Sequence, residues 1–199
     1  MPAALLAQAL ALAAASGVSV YATVAVLGIA SRLGWIGALP GGLEAASSWW
    51  IIGLAGALYT VEFLATLIPG VASLWETVHA FIRPVAGAGV AAATVWGDSG
   101  PTMTIAAALL GGTIALGSQA TKLGARVAID ASPEPVSNGA ANLAELGFIG
   151  TIALIAWQHP WIALGIAVTT TILVALLVRT VWRAARRALG TPGRRSRRS

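Results

Sequence analysis

Three charged side chains lie inside long apolar stretches of the sequence, where a charge is costly unless it is paired or functional. Glu62 lies roughly 9 Å of helix before the end of its apolar run, at about 1.5 Å per residue. Lys122 and Arg126 lie in another run and share one helical stripe with Gln119. We therefore expect Glu62 to pair with Lys122 or Arg126 across a helix interface. Such a pair would either fix the fold or serve a substrate or a proton.

A second group combines a carboxylate, an imidazole and a guanidinium at helical spacing. Glu76, His79 and Arg83 stand at i, i+3 and i+7, on one face of a segment whose other residues are mostly apolar. The Glu-x-x-His spacing also occurs in helical carboxylate metal sites, but those sites need a second motif and further carboxylates, which the sequence lacks. No metal is therefore expected, and an interfacial helix with a salt-bridged polar face is favoured. His79 could also titrate near neutral pH and relay protons.

A polar segment with two prolines precedes the fifth apolar run. Its composition predicts a rigid turn, in which Ser137 or Asn138 caps the following helix. Glu134 and Asn138 would then lie at the same membrane face as Lys122 and Arg126. The sequence therefore predicts a polar pocket at that face.

The composition indicates whether water or lipid surrounds the chain that carries these groups. Of the 199 residues, 57% are apolar and only 10% are charged, whereas soluble domains carry about 25% charged residues. Lipid must cover part of so apolar a chain. There are no cysteines, which removes disulfides and thiolate chemistry. The net charge of +5 does not indicate nucleic-acid binding, because eight of the twelve basic residues lie at or after Arg179.

A helix that crosses a bilayer needs about 20 mainly apolar residues. The runs that come near this length are 5–31, 49–68, 71–96, 104–129, 142–157 and 160–182. Because Pro84 lies within 71–96, that segment is expected to be kinked or re-entrant. The sequence thus predicts an all-α, polytopic transmembrane helical bundle of about six spans. A weak internal repeat is also visible, since Glu62 and Arg126 each stand seven residues before a proline, Pro69 and Pro133.

Two regions follow from this pattern, a transmembrane domain over 1–182 and a basic, disordered cytoplasmic tail over 183–199. Cytoplasmic segments are rich in Lys and Arg, so six spans predict that both ends face the cytoplasm of a bacterial inner membrane. The expected partners are the lipid bilayer and, for the tail, anionic lipid headgroups. Nucleic acid is not an expected partner, and the sequence leaves the oligomeric state open, a homo-oligomer included.

Several segments together resemble a family of bacterial membrane proteins catalogued as the domain of unknown function DUF4126. The segments that carry the resemblance are Ala15–Tyr21, Val61–Ala65, Ile68–Val71, Ser73–His79, Phe81–Gly87 and Ala120–Asn138, with Glu145 following. The resemblance covers nearly the whole chain before the basic tail and implies no established activity. It implies that the family's signature positions are Glu62, Trp75, Glu76, His79, Arg83, Lys122, Arg126, Glu134 and Asn138.

The chain also departs from the family's pattern. Thr66 and Leu67 stand where relatives tend to have an Asp-Lys pair, Ala72 and Leu146 each replace an acid, and Gln119 replaces a histidine. Fewer titratable groups weaken the case for proton or ion coupling in this member.

The predicted function is transport or permeation of a small or lipid-linked solute through the helical bundle. Several cations near one face favour an anionic ligand. The alternative is a non-transporting scaffold or accessory subunit, in which the same polar residues only fix the fold. The sequence has no phosphate-binding Gly-rich loop, nucleophile elbow or zinc-protease motif, so neither enzyme activity nor a cofactor is expected. A water-reachable polar cavity beside the cluster would distinguish transporter from scaffold.

Overall fold

The structure, a computed structural model, describes residues 2–68, 70–130 and 135–189. Within these ranges the chain is almost entirely helical and contains no β-strand, which confirms the all-α class. The helices are α1 (Pro2–Val18), α2 (Val20–Arg32), a 3₁₀ helix (Gly41–Ser47), α3 (Trp49–Leu67), α4 (Val71–Val95), α5 (Pro101–Asp130), α6 (Pro135–Gln158) and α7 (Pro160–Leu189).

Five helices, α3 to α7, are long and apolar enough to cross a membrane, close to the predicted number of about six. The segment with Pro84 is one of them, because α4 continues through the proline as a single helix of 25 residues. Large apolar side chains such as Leu173 and Leu177 of α7 face outward, as lipid contact requires. The chain is thus an integral membrane protein with several spans.

The first predicted span, 5–31, is not one helix, because the chain turns at Ser19. This residue is extended, with φ −154° and ψ 116°, and its hydroxyl accepts a hydrogen bond of 3.3 Å from the N–H of Ala22. Serine side chains favour such helix starts, because they replace a missing backbone partner. Two shorter apolar helices, α1 and α2, therefore meet end to end at this residue.

The outer ends of α1 and α2 lie at the same end of the bundle. Ala4 and Leu5 line a cavity together with Trp157. The Trp157 indole also lies beside Gly37, a few residues after α2, since a Cβ added at Gly37 would lie 3.6 Å from it. Since the tip at Ser19 lies beside Glu62, deep along α3, α1 and α2 form a re-entrant hairpin that enters the bundle and turns back. We call the end at which α1 begins the N-terminal face, and the opposite end the C-terminal face.

The two ends of the described chain lie at opposite faces. The hairpin returns to the face at which it begins, and the five long helices then alternate in direction, so α7 ends at the C-terminal face. Its Val178 packs on Gly124, which lies near the end of α5. The described chain thus begins and ends at opposite ends of the bundle, whereas the sequence predicted both termini on one side, and the orientation of the termini in the membrane stays a prediction. A continuous apolar run from 5 to 31 does not reveal the turn at Ser19.

Helix α1 lies at the centre of the bundle, where it packs against α4, α5, α6 and α7. Residues 11–15 are all buried, and four of these five are alanines. Small residues allow helix backbones to approach closely in lipid. Gly17 is needed for this approach, because a Cβ there would overlap the backbone of Ala115. A Cβ at Gly87 of α4 would overlap the Ala115 side chain in the same way.

Some predicted features cannot be compared with the structure. Both prolines of the predicted repeat, Pro69 and Pro133, lie outside the described residues, as do Glu134 and the chain after Leu189. The first part of the predicted tail is helical, because α7 continues to Leu189.

Candidate functional site

The tip of the hairpin contacts two charged side chains from the spanning helices. The Ser19 hydroxyl donates to Glu62 Oε2 at 2.6 Å, and Lys122 Nζ donates to the carbonyl oxygen of Val18 at 2.9 Å. Helix ends expose unpaired carbonyl and N–H groups and carry partial charges of opposite sign. The cation thus lies at the carbonyl end of α1, and the carboxylate at the N–H end of α2, which is the favourable arrangement at each end.

Arg83 of α4 joins the two acids of α3 and α4 and is fully buried, with 0% exposure. Its Nη2 donates to Glu62 Oε1 at 2.5 Å, and its Nη1 donates to Glu76 Oε2 at 2.6 Å. Nη1 also donates to Gln119 Oε1 at 2.5 Å. The predicted Glu76–Arg83 pair therefore exists, but in the interior of the bundle and not on an interfacial helix.

Lys122 extends the cluster toward α6. Its Nζ lies 3.3 Å from Glu62 Oε1, 3.5 Å from Glu76 Oε1 and 2.9 Å from Glu145 Oε2. The predicted pairing of Glu62 with Lys122 is thus confirmed. The nearest cation to Glu62 is nevertheless Arg83, which the sequence did not indicate as its partner.

Arg126, one turn further along α5, pairs with α6 and not with Glu62. Its Nη2 lies 2.9 Å from Glu145 Oε1 and also donates to Asn142 Oδ1. Asn142 in turn donates to the Thr66 hydroxyl at 2.8 Å, which ties α3 to the same group. Three carboxylates and three cations therefore meet in the bundle, so the described charge cluster is balanced.

His79 lies at the edge of this cluster and has different partners. Its Nδ1 is 2.8 Å from the carbonyl oxygen of Trp75 and therefore carries the proton, because a carbonyl only accepts. Its Nε2 lies 3.1 Å from the hydroxyl of Tyr21, which can donate to it. The imidazole also stacks on the indole of Trp75, with 4.3 Å between ring centroids. Because Glu76 binds Arg83 instead, the Glu-x-x-His spacing does not bring the two groups to one ligand.

Two cavities of about 340 Å³ each flank the cluster. The first lies between α3, α4 and α5, and its lining includes Glu76 and Arg126. The second lies between α5, α6 and α7, and its lining includes Lys122 and Glu145. A larger cavity of about 720 Å³ opens beside α1 at the N-terminal face. The cluster is paired and buried, yet open space approaches it from two sides.

The structure brings most of the predicted site residues together. Five of them belong to the charge cluster, whose sixth member is Glu145: Glu62, Glu76, Arg83, Lys122 and Arg126. Asn138 is buried one turn before Asn142, within α6, so it does not cap that helix, which begins at Pro135. Glu134 lies outside the described residues.

Four residues of this site were not among the predicted ones, the charged Glu145 and its neutral neighbours Ser19, Gln119 and Asn142. Gln119 had a signal, since it shares a stripe with Lys122 and Arg126. Asn142 and Glu145 also had one, because their spacing continues the stripe of Asn138 along α6. Ser19 had only its polarity within an apolar run, which does not distinguish a hairpin tip from an ordinary helical serine.

Comparison with known proteins gives one family and no individual relative. The sequence model of the family described as "Domain of unknown function (DUF4126)" matches residues 6–180. No curated protein and no solved structure matches the chain. The match runs from within α1 to within α7 and includes the hairpin tip, the whole of α3 to α6 and every member of the charge cluster, so the chain belongs to the DUF4126 family.

Proposed function

We propose that the protein is a transporter or permeation pathway for a small anionic solute, with the charge cluster as its central site. The observation that carries this proposal is the re-entrant hairpin, whose tip at Val18 and Ser19 lies inside the bundle against charged groups. Broken and re-entrant helices at membrane depth are tolerated where they are buried in protein or line a cavity. In transporters, such helix ends contribute directly to substrate and ion sites.

The depth of the cluster supports the same conclusion. Glu62 is only 3% exposed and lies within a spanning helix, where ionisable groups are rare and mark pathways or relays. The cavity beside α4 is lined by Glu76, and the cavity beside α7 is lined by Lys122, so open space reaches the cluster from two sides. A solute that reaches either cavity would meet exchangeable ion-pair partners, and displacement of one partner by the solute would open the cluster.

The orientation that we propose follows from charge. Arg179, Arg183 and Arg186 lie near the end of α7, and the basic residues after them continue the same stretch of sequence. The positive-inside rule then places the C-terminal face in the cytoplasm. The N-terminal face, with Arg32 at the end of α2, would lie on the other side.

A scaffold or accessory subunit is the second candidate, and the balance of charge favours it. Each of the three acids contacts at least two cations. A network of this kind holds α3, α4, α5 and α6 together without any ligand, as a fold-fixing role requires.

Flux measurements on reconstituted protein distinguish the two functions. Proteoliposomes are tested for uptake of labelled inorganic phosphate, acetate and chloride against protein-free liposomes. A transporter should take up at least one of these anions. The double variant Glu62→Gln/Lys122→Met, which removes one charge of each sign, should lose that uptake. Glu44→Gln, which alters an exposed acid of the 3₁₀ helix, should keep it. Wild-type uptake no faster than leakage from empty liposomes would favour the scaffold.

A further inference from the structure

The cavity between α3, α4 and α5, which we call the α4 pocket, has the donors that an oxyanion needs. It has a volume of about 340 Å³, and its polar lining consists of Thr66, Ser73, Glu76, Thr77 and Arg126. Ser73 and Thr77 belong to the first two turns of α4, and Arg126 reaches the pocket from α5. Phe81, a largely exposed residue, forms part of its apolar wall.

Arg126 is the residue that points to a ligand. It is only 6% exposed, and two of its three nitrogens, Nε and Nη1, are buried without a hydrogen-bond acceptor among the described residues. Only Nη2 is used, by Glu145 and Asn142. Buried donors almost always have a partner, so two unpaired donors on one cavity-lining guanidinium require an acceptor. A phosphate group supplies several acceptor oxygens and is a preferred partner of arginine.

The start of α4 adds positive potential to the same pocket. The helix begins at Val71, after Gly70 with φ +88°, and has neither a side-chain cap nor an acidic residue in its first turn. Ala72 and Ser73 of this turn line the pocket. The N–H of Ala72 donates to the carbonyl oxygen of Ile68 at 3.0 Å, so the positive end of the helix dipole is what makes this start favourable for an anion.

Glu76 is the one acid among the described residues of the lining, and its charge is already compensated. Its carboxylate accepts from Arg83 at 2.6 and 3.2 Å and from Gln119 at 3.3 Å, and it lies 3.5 Å from Lys122. The described cluster is neutral as a whole, so the uncapped α4 start gives the pocket a net preference for negative charge.

We propose that the α4 pocket binds a phosphate group, either free phosphate or the headgroup of a phospholipid monoester. The inference deepens the proposed function, because it names the anion class and the point at which that anion meets the cluster. Arg126 and the first turn of α4 would hold the oxygens, with the hydroxyl of Ser73 as a further donor; the Thr77 hydroxyl donates to the carbonyl oxygen of Ser73 instead. An anion held there lies beside the Glu76–Lys122 contact, which it could loosen by competing for the cation.

Binding is tested on the purified full chain, separately from flux. One arm compares thermal stabilisation by inorganic phosphate with that by chloride at equal ionic strength. The other arm compares retention of phosphatidic acid and phosphatidylcholine by native mass spectrometry. Stabilisation by phosphate identifies the free ion as the ligand, and selective retention of phosphatidic acid identifies a headgroup. Wild-type protein that shows neither effect overturns the proposal.

Ser73→Asp is the decisive variant, because an acid in the first turn of α4 favours the helix but repels an anion in the pocket. It should weaken binding about tenfold or more, as like charges in contact cost several kcal/mol. Thr102→Asp puts the same charge on the exposed first turn of α5, away from the pocket, and should bind as the wild type. Arg126→Lys keeps a cation for Glu145 but removes Nε and Nη1, and should also weaken binding. Wild-type affinity in Ser73→Asp overturns the proposal.

The flux assay then separates this inference from the proposed function. Binding that Ser73→Asp abolishes, in a protein without any anion uptake, supports the site and contradicts transport. Uptake that persists at wild-type rate in Ser73→Asp supports transport and contradicts a role of the α4 pocket in it.

Discussion

Lys122 Nζ lies 2.9 Å from the carbonyl oxygen of Val18 and 2.9 Å from Glu145 Oε2, so one ammonium group joins the hairpin tip to α6. It also contacts Glu62 at 3.3 Å. The three donors of an ammonium suit such a point, at which acceptors converge from several directions. Lys122 thus links the hairpin tip to α3 and α6 through one ammonium group.

Removal of Glu62 alone should destabilise the protein, because Glu62→Gln leaves three buried cations with two acids. Breaking a buried pair from one side typically costs about 3–5 kcal/mol, whereas removing both partners can be nearly neutral. Adding Lys122→Met should therefore recover much of the loss. Thermal unfolding in detergent, followed by tryptophan fluorescence, measures both changes.

Arg126→Met is the matched control, since Arg126 contacts Glu145 and not Glu62. The double variant Glu62→Gln/Arg126→Met should remain as unstable as Glu62→Gln or become less stable. Equal rescue by both second substitutions would mean that only the total charge matters, and not the contacts.

Cysteine labelling tests the hairpin, and the absence of native cysteines gives a clean background. Ala3→Cys and Ala45→Cys should react with an impermeant thiol reagent from the same side of the membrane, and Ala184→Cys from the other. All three positions are exposed. Reaction of Ala3→Cys from the side of Ala184→Cys would show that α1 and α2 together cross the bilayer.

Two glycines of α4 provide a paired test of helix packing. Gly87→Ala should destabilise the bundle by about 1–3 kcal/mol, because its new methyl group would overlap Ala115. Gly89→Ala, in the same helix, meets nothing within 4 Å and should leave stability unchanged or slightly raised. Thermal unfolding of the two variants side by side gives the result. Similar losses in both would contradict the close approach of α1, α4 and α5.

Deletion of residues 191–199 should leave the thermal stability of the purified protein unchanged, because that stretch has no large apolar side chain to pack. Its four arginines should instead strengthen binding to anionic lipid by about 1 kcal/mol each near the surface. Native mass spectrometry with anionic and zwitterionic lipids measures that contribution. A large drop in the unfolding temperature would show that the tail packs on the bundle.

The sequence predicted the residues whose charge has a high free-energy cost inside an apolar helix. Glu62, Lys122 and Arg126 stood out because a charge within an apolar helix needs a partner, and the structure gives a partner to each of them. The sequence limited the partner of Glu62 to Lys122 or Arg126 and did not indicate Arg83. Which side chains meet depends on how far each helix is displaced along its neighbour. Arg83 reaches Glu62 only because α3 and α4 are antiparallel neighbours whose side chains meet at one depth.

The hairpin could not be predicted for a different reason. Hydropathy measures length and apolarity, and residues 5–31 satisfy both. The turn depends on a single backbone conformation at Ser19 and on partners, Glu62 and Lys122, that lie 43 and more residues away in sequence. A local pattern carries no information about such distant partners.

The central position of α1 has a consequence for the biosynthesis of the protein. Chains emerge from the ribosome N-terminus first, so the helix that ends at the centre is made before any of the four helices that surround it. The carbonyl oxygen of Val18 can form its hydrogen bond to Lys122 only after that residue, 104 positions later in the sequence, has been made. Until α5 has been made, the hairpin lacks part of its packing surface and the cation that binds Val18, although α3 already supplies Glu62 for Ser19. The hairpin can therefore complete its contacts only after α5, α6 and α7, which follow it in the sequence, have been made.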